Sequence, residues 1–253
     1  MRVARKYTQA AHRVLSDHIY HRALGHRRPV IQRQPVGVRS VALTFDDGPS
    51  PETTASVLHA LASANAHATF FLSGVRAEAW PTLVADIIAR GHAVYGHGWD
   101  HVNLEQHGAD AALAAARKVE ALLSRFRPTP SPYLLRFPYN AGHQRGWMHH
   151  AMRAFHPDVR FASWSHNTRD WTLADGCQDL DAVTRNCARA ADVIGAMRDL
   201  PGSIILMHEN PFGAEGPLAP AVAGLLLPRV LAHIKARGLT CDLIDNGPTR
   251  NVS

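Results

Sequence analysis

Past Val38 the chain alternates short apolar runs with longer stretches in which apolar residues recur every three or four positions. Residues 38–45 form a short, β-rich run, and 68–72, A-T-F-F-L, a second strand. Between them, residues 51–64 bring Val57, Leu58 and Leu61 onto one helical face. Pro81 opens and Gly91 closes a second helix carrying Leu83, Val84, Ile87 and Ile88, the usual proline-start and glycine-stop asymmetry. The clearest helix spans 109–126, with Leu113, Ala116, Val119, Leu123 and Phe126 at helical spacing. Further strands are expected at 92–95, 133–136, 159–163, 203–207 and 239–244, with helices near 144–155, 179–197 and 228–237. Strands that alternate with helices pair in parallel βα units. The expected class is therefore α/β, and about seven such strands come close to a closed barrel.

The organisation is simple. Residues 1–28 form a polar, basic extension, and 29–38, with Pro29, Pro35 and Gly37, read as a linker. The expected division is thus 1–38 as extension and linker and 39–253 as one domain. With 253 residues, 46% of them hydrophobic, the chain suits one large core. No run approaches the roughly 18–20 apolar residues of a membrane span. The first residues lack the apolar stretch of a secretory signal, so the cytoplasm is the expected compartment. The odd set Cys177, Cys187 and Cys241 contains no C-x-x-C pair and is expected as buried free thiols.

The net charge is +6. Arg2, Arg5, Lys6, Arg13, Arg22, Arg27 and Arg28 face a single acid, Asp17, in the extension. Such an arm is either solvated or drawn to an anionic partner, including a peripheral membrane contact. No aromatic stacking array or zinc-finger spacing supports nucleic-acid binding.

Chemistry-bearing residues fall just after the expected strands, where barrel enzymes place their sites. Asp46 and Asp47 are neighbours, and in extended backbone neighbouring side chains point opposite ways. One carboxylate can hold a cation while the other handles a proton, although alone the pair is as well read as a solvated turn. His97 and His101 match the spacing of a zinc H-E-x-x-H helix, but Gly98 stands where its glutamate base would be. With Asp47 they make a facial set that leaves positions open for water and substrate. Arg136 can grip a carboxylate, with Asp170 as a partner and Trp171 walling an apolar slot; a structural ion pair fits equally well. His208, at the end of an apolar strand, can donate a proton or be merely structural. Histidines 12, 18, 21, 26, 149, 150 and 156 receive no role.

In order, T-F-D-D-G-P at 44–49, H-x-x-x-H at 97–101, R-F-P-Y at 136–139, D-W at 170–171 and L-x-H at 206–208 resemble the NodB-homology polysaccharide deacetylases, carbohydrate esterase family 4. The resemblance runs over residues 38–243. It implies a distorted (β/α) barrel and metal-dependent removal of an N-acetyl, sometimes O-acetyl, group from a sugar. It further implies Asp46 as base, and Asp47, His97 and His101 as ligands of one divalent metal. Zinc is usual, with cobalt, nickel, iron or manganese also used. By the same resemblance Arg136 orients the base with Asp170 as its partner. The Tyr139 N–H is the oxyanion donor, Trp171 and Leu206 wall the acetate pocket beside Pro138, and His208 is the general acid. The chain departs from the pattern at Gly98, where serine or threonine is common, at Asn140 for glycine, and at Asn167 for aspartate. The implied substrate is an oligosaccharide, a lipid-linked sugar or a small amino-sugar intermediate. Alternatives are a small non-sugar amide or ester, or a non-catalytic, metal-bound sugar-binding domain. The Pro/Gly loop at 210–220 is expected to shape the pocket mouth.

Overall fold

The computed structural model describes residues 30–214 and 216–245; the basic extension, with the membrane contact weighed for it, lies outside them. In chain order the strands are β1 (Val30–Ile31), β2 (Ser40–Asp46), β3 (Ala68–Leu72), β4 (Ala93–Gly96), β5 (Leu134–Leu135), β6 (Arg160–Ala162), β7 (His166–Asn167), β8 (Ile204–His208) and β9 (Thr240–Cys241). The helices are α1 (Thr54–Ser63), α2 (Gly74–Ala79), α3 (Pro81–Ala89), α4 (Gly108–Leu123), α5 (Gly146–Met152), α6 (Leu180–Ala196) and α7 (Ala221–Ala236). One sheet runs β4-β3-β2-β8-β7, with β9 added on β2, and a second runs β1-β6-β5. The strand pairs are parallel. The ladder is broken between the two sheets, so the fold is a distorted (β/α) barrel, as the resemblance implies.

β2 is buried along its whole length, and its alternation sorts the core. Val41, Leu43 and Phe45 join the cluster formed with α1, α6 and α7 outside the sheet. Ala42 joins the inner cluster of Phe71, Tyr95, Tyr133, Phe161 and Ile204. By the same period of two, Thr44 and Asp46 share the inner face. In register, Asp46 lies opposite His208 and Thr44 opposite Leu206. The chain's entry into β5 is fixed by a buried polar knot: Tyr133 Oη donates to Glu120 Oε2 at 2.8 Å, and Arg127 grips both Glu120 oxygens at 2.9 Å.

Three local readings change. Part of the expected linker belongs to the barrel: Val30 and Ile31 pair with Phe161 and Ala162 and pack on the inner cluster. Gln34 is buried there, its Nε2 donating to Leu243 O and its Oε1 accepting from Asp245 N–H. Pro228 does not open a helix. It lies inside α7, whose apolar face buries Val222, Leu226, Val230 and Ile234, and that packing outweighs the lost N–H. The short α2 escapes the periodicity argument because it opens on Gly74, which reads as a turn. A Cβ there would stand 2.2 Å from the Trp99 ring, so glycine is required by close packing. All three cysteines are free thiols, Cys187 and Cys241 buried and Cys177 half-buried. No helix among the described residues is long and apolar enough to cross a membrane.

Candidate metal and acid–base site

Asp46 ends β2 on the inner face, and the next residue turns left-handed, with φ 74° at Asp47. The turn sends the second carboxylate away from the first, towards the loop after β4. There Asp47 Oδ1 lies 3.3 Å from His97 Nε2 and 3.2 Å from His101 Nε2. Asp47 Oδ2 accepts the Phe212 N–H at 2.9 Å. Oδ1 is buried and takes no hydrogen bond. His97 Nδ1 lies 2.9 Å from the Arg136 carbonyl. A carbonyl only accepts, so Nδ1 carries the proton and Nε2 presents a bare lone pair. An orphaned carboxylate oxygen flanked by imidazole nitrogens, all within 4.8 Å of one another, is the donor set a divalent cation needs. The residues fit the metal that the motifs imply. Burial opposes the charge on Asp47, yet His101 and His97 together hold its carboxyl well below the usual carboxylate range.

Asp46 faces different partners. Arg136 Nη1 donates to Asp46 Oδ1 at 2.7 Å and to Thr44 Oγ1 at 2.8 Å. Its Nε and Nη2 donate to the carbonyls of Ala162 and Ser163 at 2.8 and 3.0 Å. The guanidinium is fully buried over the Phe71 ring, so its position is set on every side. Asp46 Oδ1 is thus tied down, and Oδ2 is left to handle a proton.

The expected pairing of Arg136 with Asp170 is corrected. Asp170 Oδ2 accepts the His208 N–H at 2.6 Å, and Oδ1 lies 2.8 Å from His208 Nδ1. The reason is topological: β7 pairs with β8, so the segment after β7 delivers Asp170 beside His208. Arg136 meanwhile points into the barrel, where strand carbonyls and Asp46 occupy it. The Asp170 contact places the proton on His208 Nδ1 and leaves Nε2 for substrate. Burial alone would lower the His208 pKa, but the Asp170 carboxylate, with Asp46 and Asp47 beyond, pushes it up to about 9. A raised pKa keeps the proton-donating form below about 9 and loses it above. Asp170→Asn is therefore expected to move the alkaline limb of kcat/KM down towards the ordinary histidine value of about 6.5. A pH–rate profile of the two proteins checks this.

Asp46, Asp47, His97, His101 and His208 open onto one cavity of about 750 Å³. The polysaccharide deacetylase family model matches residues 33–153. A peptidoglycan-N-acetylglucosamine deacetylase of Bacillus cereus is 34% identical over 206 residues, 81% of this chain and 66% of that protein. A chitooligosaccharide deacetylase of Sinorhizobium fredii is 31% identical over 181 residues, 71% of this chain and 76% of that protein. The chain belongs to the polysaccharide deacetylase family. The fold agrees: a crystal structure of a peptidoglycan N-acetylglucosamine deacetylase superposes with a TM-score of 0.67 at 29% identity, over 85% of this chain and 90% of that one.

The remaining family positions fall into place around this deacetylase cavity, with one exception. Trp171, Leu206 and Tyr139 line it. Trp171 stands edge-on to His208, centroids 5.2 Å apart. Tyr139 is left-handed, φ 60°, in the first turn of a 3-10 helix at Pro138–Asn140, where N–H groups have no intrahelical acceptor. Pro138 is the exception: it is buried against Gly98 rather than among the cavity-lining residues. The departures also find reasons. Gly98 has φ +73°, a conformation in which serine or threonine would be strained. Asn167 Oδ1 accepts the Arg169 N–H at 2.8 Å, which an aspartate would do equally well.

Sequence reasoning missed the residues that brace the ligands. The Phe212 ring stacks on His101, centroids 4.6 Å apart and planes 15° from parallel. The Arg76 guanidinium lies 3.8 Å from the centroid of that ring, and donates to the carbonyls of Asp47 and Asn210. Glu209 is wholly buried beneath Gly48, accepting from Thr54 Oγ1 at 2.6 Å, and burial pushes its carboxyl up to about 7. The one signal available was the Pro/Gly loop after His208, in which Phe212 is the only aromatic residue.

Proposed function

We propose that this chain removes the N-acetyl group from an amino-sugar unit of a saccharide. The observation that carries the reading is the orphaned Asp47 Oδ1 between two imidazole nitrogens, in one cavity with an arginine-held carboxylate and a carboxylate-held histidine. Relatives named for peptidoglycan and chitooligosaccharide deacetylation support the substrate class. Asp47, His97 and His101 would hold the metal, and zinc would suit their mixed nitrogen and oxygen donors. A divalent cation there would supply a Lewis acid for the acetyl carbonyl and an acidified water as nucleophile.

The chain's own residues do the rest. Asp46 Oδ2 takes a proton from the water as its oxygen bonds to the acetyl carbon. Arg136 keeps that carboxylate aimed. The Tyr139 N–H receives the developing oxyanion, and loss of such a donor typically costs about 10²–10³ in rate. As the C–N bond breaks, His208 Nε2 protonates the departing nitrogen, since an unprotonated amine is a poor leaving group. Acetate and the free amino sugar leave.

Acetate release tests the reading. The panel is N-acetylglucosamine oligomers, a nucleotide-linked and a lipid-linked N-acetyl sugar, and a small acyclic amide. Zinc or cobalt is added, and Asp46→Asn is the blank. Metal-dependent release from a sugar, abolished by a chelator and restored by metal, is expected. Release from the acyclic amide alone, or none from metal-loaded protein, overturns it.

A further inference from the structure

We propose that Arg76 and Phe212 form a clasp that retains the metal. They fix Asp47 and His101 through contacts behind the donor atoms, so that release requires the segment after β8 to lift. The inference rests on the metal reading of Asp47, His97 and His101 above.

The three ligands are not held alike. His97 is fixed by the barrel itself: its backbone N–H donates to the Leu72 carbonyl at 2.8 Å, and its Nδ1 lies 2.9 Å from the Arg136 carbonyl. Asp47 and His101 stand on left-handed backbone, φ 74° and 58°, which residues other than glycine keep only where the surroundings enforce it. A ligating histidine ordinarily has its second ring nitrogen tied to a partner that sets the ring's orientation. Among the described residues none hydrogen-bonds to His101 Nδ1. Its ring is oriented by aromatic contact instead, with Phe212 stacked at 4.6 Å and Tyr139 tilted at 4.9 Å. Phe212 reaches the other loop-borne ligand as well. Its N–H donates to Asp47 Oδ2 at 2.9 Å, which leaves Oδ1 to the imidazole nitrogens. One residue thus holds two ligands, one by its ring and one by its backbone.

Arg76 locks that residue in place. Its guanidinium carbon lies 3.8 Å from the Phe212 centroid, a cation–π contact. Its Nη1 donates to the Asp47 carbonyl at 3.0 Å and to the Asn210 carbonyl. The turn after β2 and the segment after β8 are thereby joined. The helix that carries Arg76 is anchored on the third ligand segment: Gly74 N–H donates to the Gly98 carbonyl at 3.0 Å and Val75 N–H to the Trp99 carbonyl at 2.9 Å, between the two histidines. Arg76 meets Asp47 through its carbonyl, and Asp47 Oδ1 takes no hydrogen bond. The guanidinium therefore steadies the ligand without competing for the oxygen that faces the cation.

The experiment measures zinc on the full-length protein. The dissociation constant comes from competition with a chromophoric chelator, and the release rate from dilution into excess chelator. The proteins are the wild type, Phe212→Leu, Phe212→Tyr, Arg76→Met and the double variant Phe212→Leu/Arg76→Met. Leucine keeps the bulk and loses the planar stack, whereas tyrosine keeps the ring. Phe212→Leu and Arg76→Met are each expected to weaken zinc about 10–100-fold, mainly through faster release. Phe212→Tyr should stay within about threefold of the wild type, and the double variant should lose less than the product of the single losses. Single variants within about twofold of the wild type overturn the clasp. So does a Phe212→Tyr protein as weak as Phe212→Leu, and so do losses that simply multiply. Should Arg76→Met fail to fold, the two Phe212 variants decide alone. Folded wild type that takes up no zinc overturns the metal reading itself, which separates the two failures.

Discussion

Asp46→Asn is expected to bind metal as the wild type does and to turn over substrate about 10²–10⁴-fold more slowly. The two adjacent carboxylates are separated by the left-handed turn at Asp47, so only Asp47 reaches His97 and His101. Asp46 Oδ2 stands 3.9 Å from His97 Nδ1, the ring nitrogen already committed to the Arg136 carbonyl. An amide at position 46 keeps the shape and one acceptor but has no basic oxygen. Asp47→Asn behaves oppositely: it weakens an oxygen ligand that has no other partner, so metal and turnover fall together. Metal content by elemental analysis, read beside kcat, decides the assignment. Metal lost from Asp46→Asn and retained in Asp47→Asn would reverse the roles.

Arg136→Met is expected to destabilise the fold by about 3–5 kcal/mol, because it leaves the Asp46 charge buried without its counter-ion. On a domain of this size that is a fall in Tm on the order of 10 °C. The guanidinium is 0% exposed and its carboxylate partner 4%. The arginine also satisfies the Ala162 and Ser163 carbonyls from β6 and the loop beyond it. Its loss therefore unpairs acceptors in both sheets at once. Combining Arg136→Met with Asp46→Asn removes the stranded charge and should recover part of the loss, though not the carbonyl bonds. A double-mutant cycle in urea measures the division. Strictly additive effects would mean that the pair contributes nothing beyond its separate contacts.

What the sequence disclosed and what it withheld follow from range. β2, β3 and α4 were legible because their burial is written in local periodicity: a continuous apolar run, or apolar residues three and four apart. The metal triad was legible as a set of residue types in order. The partner of Asp170 was not. Two cations, Arg136 and His208, stand at strand ends, and only the β7–β8 pairing says which one meets it. Phe212 and Arg76 were invisible for a related reason, since the Phe212 contacts with His101 and with Arg76 join segments far apart in the chain. β1 was missed because two apolar residues directly after a proline carry no period; their partners on β6 define them.

The Asp46–His208 register has an evolutionary corollary. Asp46 and His208, the proposed base and acid, are rungs of one parallel ladder, so the spacing of their backbones is a property of the strand pairing and does not depend on loop lengths. A slip of one residue between the two strands would turn one of the two side chains away from the inner face while the other stayed on it. Descendants of this chain can therefore vary the tips of the loops after β5, β6 and β8 to meet new saccharides so long as Arg136, Tyr139 and Phe212 keep their places, while the pair at 46 and 208 stays fixed in the ladder.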